Sequence, residues 1–404
     1  MTRECIKSCR WWQNAAVRRR EALQKQRQVQ RELTNHARRL ALGFGEDEDG
    51  ESMQIDMTRD LKIKRKKKTR EERVRARKEY YSRQFMIPEW MIEIPTDLDG
   101  KGSTTGEGWY VLPRPEGKRC LVIANNGVTV ARKTNGSTLQ KFPSGLPNGS
   151  KKTSSHSEGY CILDCIYQSN ADDQGVFYVL DVMCWKGYLL YNCTTEFRLY
   201  WLREKLTEGN AAIRTPANPY PFLPIPCFEC DIGGLEKAYK TSFQYIKYIA
   251  VEDGLLFMMK AAHYELGLSP CSTVWKDTHT SRFLVFTEKP IIVLALNNQR
   301  QCATLEGIVL YTIEDADVLA QYELREGDLV QFSFEHNVYT PDQSPSLSGM
   351  QFMRRCSPQR ALPDSWTKVV FQYNARFGGV SIDDIVKTIT SSGNMTDESH
   401  DISS

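Results

Sequence analysis

Residues 177–187 read FYVLDVMCWKG, and this stretch decides the fold class. Its short apolar run predicts a strand over residues 177–182. Further runs, punctuated by Gly, Pro and Asn, predict strands at 108–112, 120–124, 128–131, 254–258, 283–286 and 291–296. Helices are predicted at 196–204 and 242–250. Since strands outnumber helices without sustained strand–helix alternation, the sequence predicts an α+β domain built on antiparallel sheets.

The composition is that of an ordinary globular protein, with 404 residues, 41% hydrophobic and 25% charged. This length leaves room for one or two folded units plus tails. No apolar run is long enough to span a membrane, and the N-terminus is charged rather than signal-like. We expect the 12 cysteines to be reduced, and read the isolated pair Cys227 and Cys230 as buried rather than metal-binding.

The net charge of +3 hides an asymmetry. Residues 1–85 hold 24 Lys and Arg against 13 Asp and Glu, a net charge of +11. The remaining 319 residues carry −8. A basic arm on a mildly acidic remainder predicts an acidic partner for the arm.

The arm contains one helical pattern, from residue 18 to residue 42. Its apolar residues recur at spacings near three, four and seven, and Gly43 and Gly45 supply a stop signal. The apolar stripe is too narrow to form a core alone. Two interpretations remain: a solvated basic helix or coiled-coil segment, or a helix that folds inside an acidic groove of a partner.

The heptapeptide NHARRLA at residues 35–41 resembles the importin-β-binding domain of snurportins. The resemblance implies importin-β as a partner, and an export receptor as a second one. The first 17 residues depart from the family, because they lack the spaced apolar residues that engage that receptor. The residues implied in importin-β binding are Arg18, Arg19, Arg20, Arg27, Arg31, Arg38, Arg39 and Leu40.

Two charged stretches separate the arm from the following domain. Residues 46–60 are acidic, and residues 62–83 are basic with a KRKKK run at 64–68. That run is either a solvated linker face or a contact to nucleic-acid phosphates. The predicted division is an arm over 1–48, a charged linker over 49–85, a domain over 86–300, a β-rich extension over 301–389 and a disordered tail over 390–404.

A second resemblance covers about residues 86–280, and its segments occur in the order that the family shows. It resembles the snurportin cap-binding domain, most specifically at 178–187. The other matching segments are MIEIP at 91–95, GKRCLVIA at 117–124, FRLYW at 197–201, DGLLF at 253–257 and Trp275. The resemblance implies a nuclear import adaptor in nucleus and cytoplasm that binds the trimethylguanosine cap of spliceosomal small nuclear RNA.

The cap is a flat, positively charged base, and tryptophan suits it by stacking and cation–π attraction. Trp275 and Trp90 lie where the family uses aromatic rings, whereas Trp185 and Trp201 are interpreted as core. Lys118 and Arg119 would face the triphosphate bridge. Two positions differ from the residues common in the family: Pro88 stands in place of serine, and Thr134 stands in place of lysine. The adjacent Lys133 is expected to take the role of that missing lysine. The implied cap-binding residues are Trp275, Trp90, Lys118, Arg119, Cys120, Pro88, Lys133 and Thr134.

The snurportin domain is similar in fold to the nucleotidyltransferase half of mRNA guanylyltransferases and DNA ligases, which raises an enzymatic alternative. Those enzymes need a lysine in Lys-x-Asp-Gly-x-Arg as nucleophile. Here the stretch 114–119 reads RPEGKR, and the Arg114 guanidinium stays protonated. Residues 180–183, LDVM, replace the acidic metal motif. No catalytic residue, cofactor or metal site is predicted. The alternatives are an active RNA-capping nucleotidyltransferase and a general basic RNA-binding protein.

Residues 290–390 also read as folded. Residues 326–332 resemble a turn into a strand, and residues 366–373 read as a further strand. Whether this region extends the sheets of the preceding domain or forms a small β domain stays open at the sequence level.

Overall fold

The computed structural model describes residues 15–26, 33–43, 69–101, 108–151, 159–169, 175–240, 252–284, 289–338, 345–357, 360 and 362–394. The helices are α1 Ala15–Gln26, α2 Leu33–Leu42, α3 Arg70–Ser82, α4 Thr195–Glu208, α5 Ile232–Lys240, α6 Ala316–Gln321, α7 Trp366–Asn374 and α8 Ile382–Asn394. The strands are β1 Met86–Trp90, β2 Trp109–Pro115, β3 Lys118–Asn125, β4 Val128–Lys133, β5 Thr138–Phe142, β6 Cys161–Gln168, β7 Val176–Trp185, β8 Tyr188–Leu189, β9 Phe222–Pro224, β10 Phe228–Glu229, β11 Glu252–Met259, β12 Gly267–Trp275, β13 Ile291–Leu296, β14 Gln301–Ala303, β15 Val309–Thr312, β16 Leu329–Ser333, β17 His336–Val338, β18 Ser346–Ser348 and β19 Gln351–Arg355.

Two sheets form the unit that we call the body. The first has the strand order β1-β12-β11-β2-β10, and the second has the order β5-β4-β3-β6-β7-β8 with β9 beside β7. Neighbouring strands run antiparallel except β1 beside β12 and β7 beside β9. The predicted α+β class with antiparallel sheets is therefore confirmed.

The two sheets of the body face each other across one apolar core. Leu121 and Ile166 of the second sheet share this core with Leu112 and Leu256 of the first. Helix α4 covers the outer face of the second sheet with Leu202 and Leu206. All ten residues of β7 are buried as a result. The continuous apolar pattern that predicted this strand is what two covered faces require.

The outer face of the first sheet carries a further core, and helices from distant parts of the chain cover it. Val111 and Phe257 of the sheet pack with Leu235 of α5. Ala22 of α1 and Ile385 of α8 belong to the same core. Both the N-terminal arm and the C-terminal segment are thus packed onto the body.

The C-terminal region forms its own antiparallel sheet, with the order β15-β14-β13-β16-β19. Trp366, Val369 and Val370 of α7 pack on this sheet in a separate core. Because β13 pairs with β14 and β16, residues 291–296 belong to this sheet and not to the 86–300 domain. This settles the open question in favour of a small separate sheet.

Several sequence predictions need correction. Residues 366–373 are helical, not a strand: Ser365 caps α7 by accepting from the Lys368 amide at 3.3 Å, and apolar side chains recur at helical spacing. The last helix continues to Asn394, beyond the predicted start of a disordered tail at residue 390. Phe283 and residue 284 lie in a turn rather than a strand. The remainder of that predicted strand and the 242–250 helix lie outside the described residues.

The single helix predicted over residues 18–42 is represented by α1 and α2, with residues 27–32 between them outside the described part of the chain. The predicted stop at Gly43 is confirmed. Its amide donates to the Arg39 carbonyl at 3.2 Å, and its φ of 96° is a left-handed conformation that glycine adopts without strain. Gly45 lies outside the described residues.

Within the described ranges, no helix is long and apolar enough to cross a membrane. The described cysteines are all free thiols, most of them buried. Cys230 is buried and Cys227 half-buried. The described residues contain no cluster of His, Cys, Asp or Glu that could hold a metal ion.

We expect Ile385→Ala to loosen α8 from the body, because Ile385 is fully buried in the core beneath this helix. Removing its side chain should lower the free energy of unfolding by about 2–5 kcal/mol. Chemical denaturation monitored by tryptophan fluorescence measures this. Lys387→Ala, on the exposed side of the same helix, is the matched control and should change it by less than about 0.5 kcal/mol. Equal effects of the two variants would mean that α8 is not anchored by this core.

Candidate functional site

Paired charges lie at one end of the first sheet of the body. Arg114 donates to Asp253, and so does Lys276 from the end of β12. Gly254 makes this arrangement possible: its φ is 94°, and a Cβ atom there would lie 2.5 Å from the Trp275 carbonyl oxygen. The β11–β2 register slips at the same point, between Glu252 and Leu255. A bulge thus turns Asp253 toward the two cations.

The pKa values reflect this pairing. Burial alone would raise the pKa of Asp253, but Arg114 and Lys276 hold it below the usual value. Burial lowers the pKa of Lys276 to about 8, and the nearby guanidinium of Arg114 acts in the same direction. Of the two cations in this cluster, Lys276 is therefore the one that loses its proton more readily, since a guanidinium stays protonated.

A second ion pair lies on the facing sheet. Arg119 donates to both carboxylate oxygens of Asp164, at 3.0 and 2.6 Å, and to the Met86 carbonyl at 2.6 Å. Asp164 also accepts from the hydroxyl of Tyr264 at 2.8 Å. Arg119 was predicted to face the cap's triphosphate, but its guanidinium is already committed within the protein.

A third ion pair lies at residues 180–183, the stretch that replaces the acidic metal-binding motif. Arg198 donates to both oxygens of Asp181, each at 2.9 Å. Both side chains are no more than 2% exposed. The Val182 amide also donates to Asp181, at 2.7 Å. This carboxylate is held by a guanidinium from the predicted helix over 196–204, and the arrangement leaves it turned away from solvent.

Trp275, which was predicted to stack on the cap, is fully buried. Its indole Nε1 donates to the Val380 carbonyl at 2.8 Å. The ring of Tyr239 lies 6.2 Å away on α5. Ile385 of α8 belongs to the same core. The segment between α7 and α8 therefore covers the ring that was predicted to stack on a base.

Trp90 is half-buried at the end of β1. Its ring centroid lies 4.9 Å from that of Phe371 on α7, and the Lys276 ammonium lies 5.7 Å from its ring centroid. In the β1–β12 register Trp90 pairs with Val274, next to Trp275 in the chain. The two tryptophans thus lie at the same end of the first sheet.

A cavity of about 270 Å³ opens beside these tryptophans. Met91, Ile92 and Leu284 supply apolar walls, Lys276 and Asp277 supply charges, and residues 374–375 and 378–382 close one side. The volume is close to the lower end of the ~300–1,000 Å³ range of small-molecule sites. Trp275 lines this cavity, whereas Trp90 lines a neighbouring one of only about 20 Å³ that shares Ile92 with it.

The remaining predicted site residues lie on the second sheet and at β1. Lys118 is exposed at the start of β3, and Lys133 pairs with Cys120 across β3 and β4. Cys120 is fully buried, so it packs in the core and does not face a ligand. Thr134 is half-buried in the turn after β4. Pro88 is half-buried and pairs with Ser269 at a bulge in β1.

The sequence analysis did not single out Asp164, Phe371 or Val380, and only noted Lys276 as the residue after Trp275. A signal was present for Asp164, which interrupts the apolar run CILDCIY at 161–167. A carboxylate in such a run is usually paired. No comparable signal marked Phe371 or Val380, because their role depends on how α7 and α8 fold back. Trp185 is buried in the core under α4, as predicted, and Trp201 is half-buried against it.

The described residues of the arm that were predicted for importin-β fall into two groups. Arg18 is mostly buried, and Arg19 and Leu40 are buried. The exposed residues are Arg20, Arg38 and Arg39. Arg27 and Arg31, like the 64–68 run, lie outside the described residues.

Residues 84–276 match a protein-family model described as the m3G cap-binding domain of Snurportin1. The matched range begins just before β1 and ends at Lys276, so it spans the body and both predicted tryptophans. The body is a snurportin-type cap-binding domain. The match leaves out the arm, the C-terminal sheet and α8, so the snurportin assignment rests on the body.

Solved structures with similar folds are ATP-dependent DNA ligases, which belong to the nucleotidyltransferase group. The ligase domain of LigD from M. tuberculosis is 10% identical, with coverage of 63% of this chain and 92% of that one and a TM-score of 0.31. The ATP-dependent DNA ligase of bacteriophage T7 in complex with ATP is 11% identical, with coverage of 68% and 99% and a TM-score of 0.33. Likeness at this level carries no inference about the activity of the snurportin-type domain.

Removing one partner of the buried Arg198–Asp181 pair should be costly, because the other charge stays buried and uncompensated. We expect Arg198→Met to lower the free energy of unfolding by about 3–5 kcal/mol. Arg203→Met, on the exposed side of the same helix, is the control, with an effect below about 0.5 kcal/mol. Adding Asp181→Asn to Arg198→Met should restore part of the loss. Urea denaturation of the four proteins tests this, and a harmless Arg198→Met would refute the interpretation.

Proposed function

We propose that this protein binds the trimethylguanosine cap of spliceosomal small nuclear RNA and links it to importin-β, as a nuclear import adaptor that moves between cytoplasm and nucleus. The observation that carries the proposal is the family match over residues 84–276. The basic arm supports the importin-β part, since NHARRLA at residues 35–41 resembles the importin-β-binding segment of snurportins.

The base would bind at the end of the first sheet, in the cavity beside Trp275 and Trp90. A methylated guanine is flat and cationic, so an indole face attracts it by stacking and by its quadrupole. The carboxylate of Asp277 at the cavity wall favours a cation. Apolar side chains such as Met91 and Leu284 suit the added methyl groups.

Stacking on Trp275 requires movement of the C-terminal segment. The indole has no exposed surface while Val380 accepts its N–H and α8 covers the ring. Cap binding by this ring and docking of residues 378–382 are therefore competing contacts. Loosening α8 with Ile385→Ala should make the cap easier to bind.

The triphosphate bridge would meet lysines rather than Arg119. Arg119 is paired with Asp164, and using it would leave that buried carboxylate uncompensated. Lys118 is exposed at the start of β3. Lys133 lies on the neighbouring strand β4, where it pairs with Cys120, two residues after Lys118. These ammonium groups are placed to attract phosphate without breaking an existing ion pair.

A catalytic role is the second candidate function, and the paired charges argue against it. The group at the nucleophile position is the guanidinium of Arg114, which stays protonated and is bound to Asp253. The acidic group at the metal position, Asp181, is held by Arg198. Lys276 has the lowered pKa that suits a nucleophilic lysine, and Lys118 is the lysine closest in sequence to the nucleophile position.

We expect fluorescence titration with cap dinucleotides to show preference for the trimethylated over the monomethylated and unmethylated forms. Stacking on an aromatic side chain contributes about 1–3 kcal/mol. Trp275→Leu should therefore weaken binding of the trimethylated cap by roughly 5- to 150-fold. Trp185→Leu removes an equally buried indole from the core on the far side of the body and serves as the control for loss of stability.

Two outcomes would contradict the cap proposal. Equal losses in Trp275→Leu and Trp185→Leu would assign Trp275 to the core alone. Equal affinity for capped and uncapped RNA, falling steeply with salt, would favour a general basic RNA-binding protein.

The enzymatic alternative is tested by incubation with labelled GTP and Mg²⁺ or Mn²⁺, at pH 7 and pH 9. We expect no acid-stable protein–nucleotide adduct at either pH. The higher pH is included because it deprotonates Lys276, whose pKa is about 8. An adduct that disappears in Lys276→Arg or Lys118→Arg would overturn the non-catalytic assignment and identify the nucleophile.

A further inference from the structure

The arm is docked on the body through the residues expected to bind importin-β. The Nη2 atom of Arg18 donates to the carboxylate of Glu89 at 2.7 Å, and the two side chains are only 14% and 4% exposed. Arg19 is 8% exposed, with its guanidinium carbon 5.7 Å from the centroid of the Trp109 ring. Two cations of the arm thus already have partners on the first sheet of the body.

Helix α2 docks separately, on the second sheet. Ala37 and Leu40 are buried in the core between the two sheets. The side-chain amide of Asn125 donates to the Ala41 carbonyl at 3.0 Å, so it binds an end of the helix that would otherwise lack a partner. The ring of His36 lies 6.2 Å from that of Tyr191. Ala37 and Leu40 belong to the apolar stripe that the sequence analysis assigned to a partner, and in this structure they pack against the body instead.

While the arm makes these contacts to the body, the same side chains cannot contact a partner. An acidic groove can pair with Arg18 only if Glu89 releases it, and it can contact Leu40 only if α2 leaves the core. Arg20, Arg38 and Arg39 remain exposed. A partner can therefore reach three arginines of the docked arm, but the full interface requires undocking.

We propose that the body competes with importin-β for the arm, so that the free protein holds its import signal in a masked state. This inference rests on the proposed function, because it takes importin-β as the partner of the arm. The masked state lowers the apparent affinity for importin-β by the fraction of molecules in which the arm is free. Since binding linkage is reciprocal, importin-β in turn draws the arm away from Glu89 and Asn125.

The test changes only the body and leaves the arm sequence intact. Glu89→Gln removes the charge that holds Arg18, and Asn125→Ala removes the donor to Ala41. We expect each variant of the full chain to bind importin-β about 3- to 10-fold more tightly than wild type in a titration by calorimetry or fluorescence anisotropy. Trypsin cleavage should become faster to a similar degree at residues 18–20 in Glu89→Gln and at residues 38–39 in Asn125→Ala, which reports undocking of each helix without importin-β.

Glu204→Gln is the matched control, because Glu204 is half-exposed on α4 and its carboxylate pairs with Arg203 of the same helix. It should leave both readouts unchanged. A chain lacking residues 1–45 should lose importin-β binding. Unchanged or weaker binding by Glu89→Gln and Asn125→Ala, while wild type binds, would overturn the masking inference. If wild type and all variants fail to bind, the importin-β part of the proposed function fails, and the masking inference fails with it.

Discussion

The structure depends on one constraint: both sheets of the body are apolar on both faces, so each outer face needs a cover. Helix α4 serves the second sheet with residues close to it in the chain. Among the described helices, α5 covers the outer face of the first sheet from nearby in the chain, and α1 and α8 complete this cover from more distant segments. A sheet with uncovered Val111 and Phe257 would expose a large apolar surface, which folded proteins avoid. The segments expected to act outside the domain are therefore part of its packing.

The pairing of the charged side chains in the body is also a consequence of burial. The body keeps several charged groups below its surface, and such groups are stable there only when they are paired. Arg114, Arg119 and Arg198 each bind a carboxylate in the body. Arginine suits this role because it stays charged and donates to two oxygens at once. The positions that would carry chemistry in a nucleotidyltransferase therefore hold a network of ion pairs.

Most of the body could be predicted from the sequence, and the covering elements could not. Strands such as β3, β4, β7 and β11 follow from short apolar runs with turn residues at their ends. The helix over residues 366–374 was read as a strand, because Val369, Val370 and Phe371 favour strands locally while the Ser365 cap and the core below them favour a helix. The secondary structure of the body follows from local sequence patterns, whereas that of the covering segments depends on tertiary packing.

The candidate site was predicted in part for the same reason. Trp90 and Trp275 were placed by resemblance, and they do lie at one end of the first sheet. Their exposure could not be predicted, since Phe371 and Val380 come from a segment about 100 residues or more further along the chain. Arg119 was assigned to phosphate together with Lys118 through the family resemblance, but successive residues of a strand face opposite sides. The expectation that the arm and the body are separate units was wrong for the described helices α1 and α2.

The described contacts that hold the arm on the body are few, and their composition favours weak docking. The buried apolar side chains of α1 and α2 are small at Ala22, Ala37 and Ala41, and Leu40 is the large one, while Arg19 and Gln26 are the buried polar ones. Burying a leucine contributes about 1.5–3 kcal/mol, and the alanines contribute less. The ion pair of Arg18 keeps some exposure to solvent, which limits its strength. A partner that offers several carboxylates to Arg20, Arg38 and Arg39 starts from the exposed side of both helices. It can then exchange the few contacts to the body for a larger number of its own.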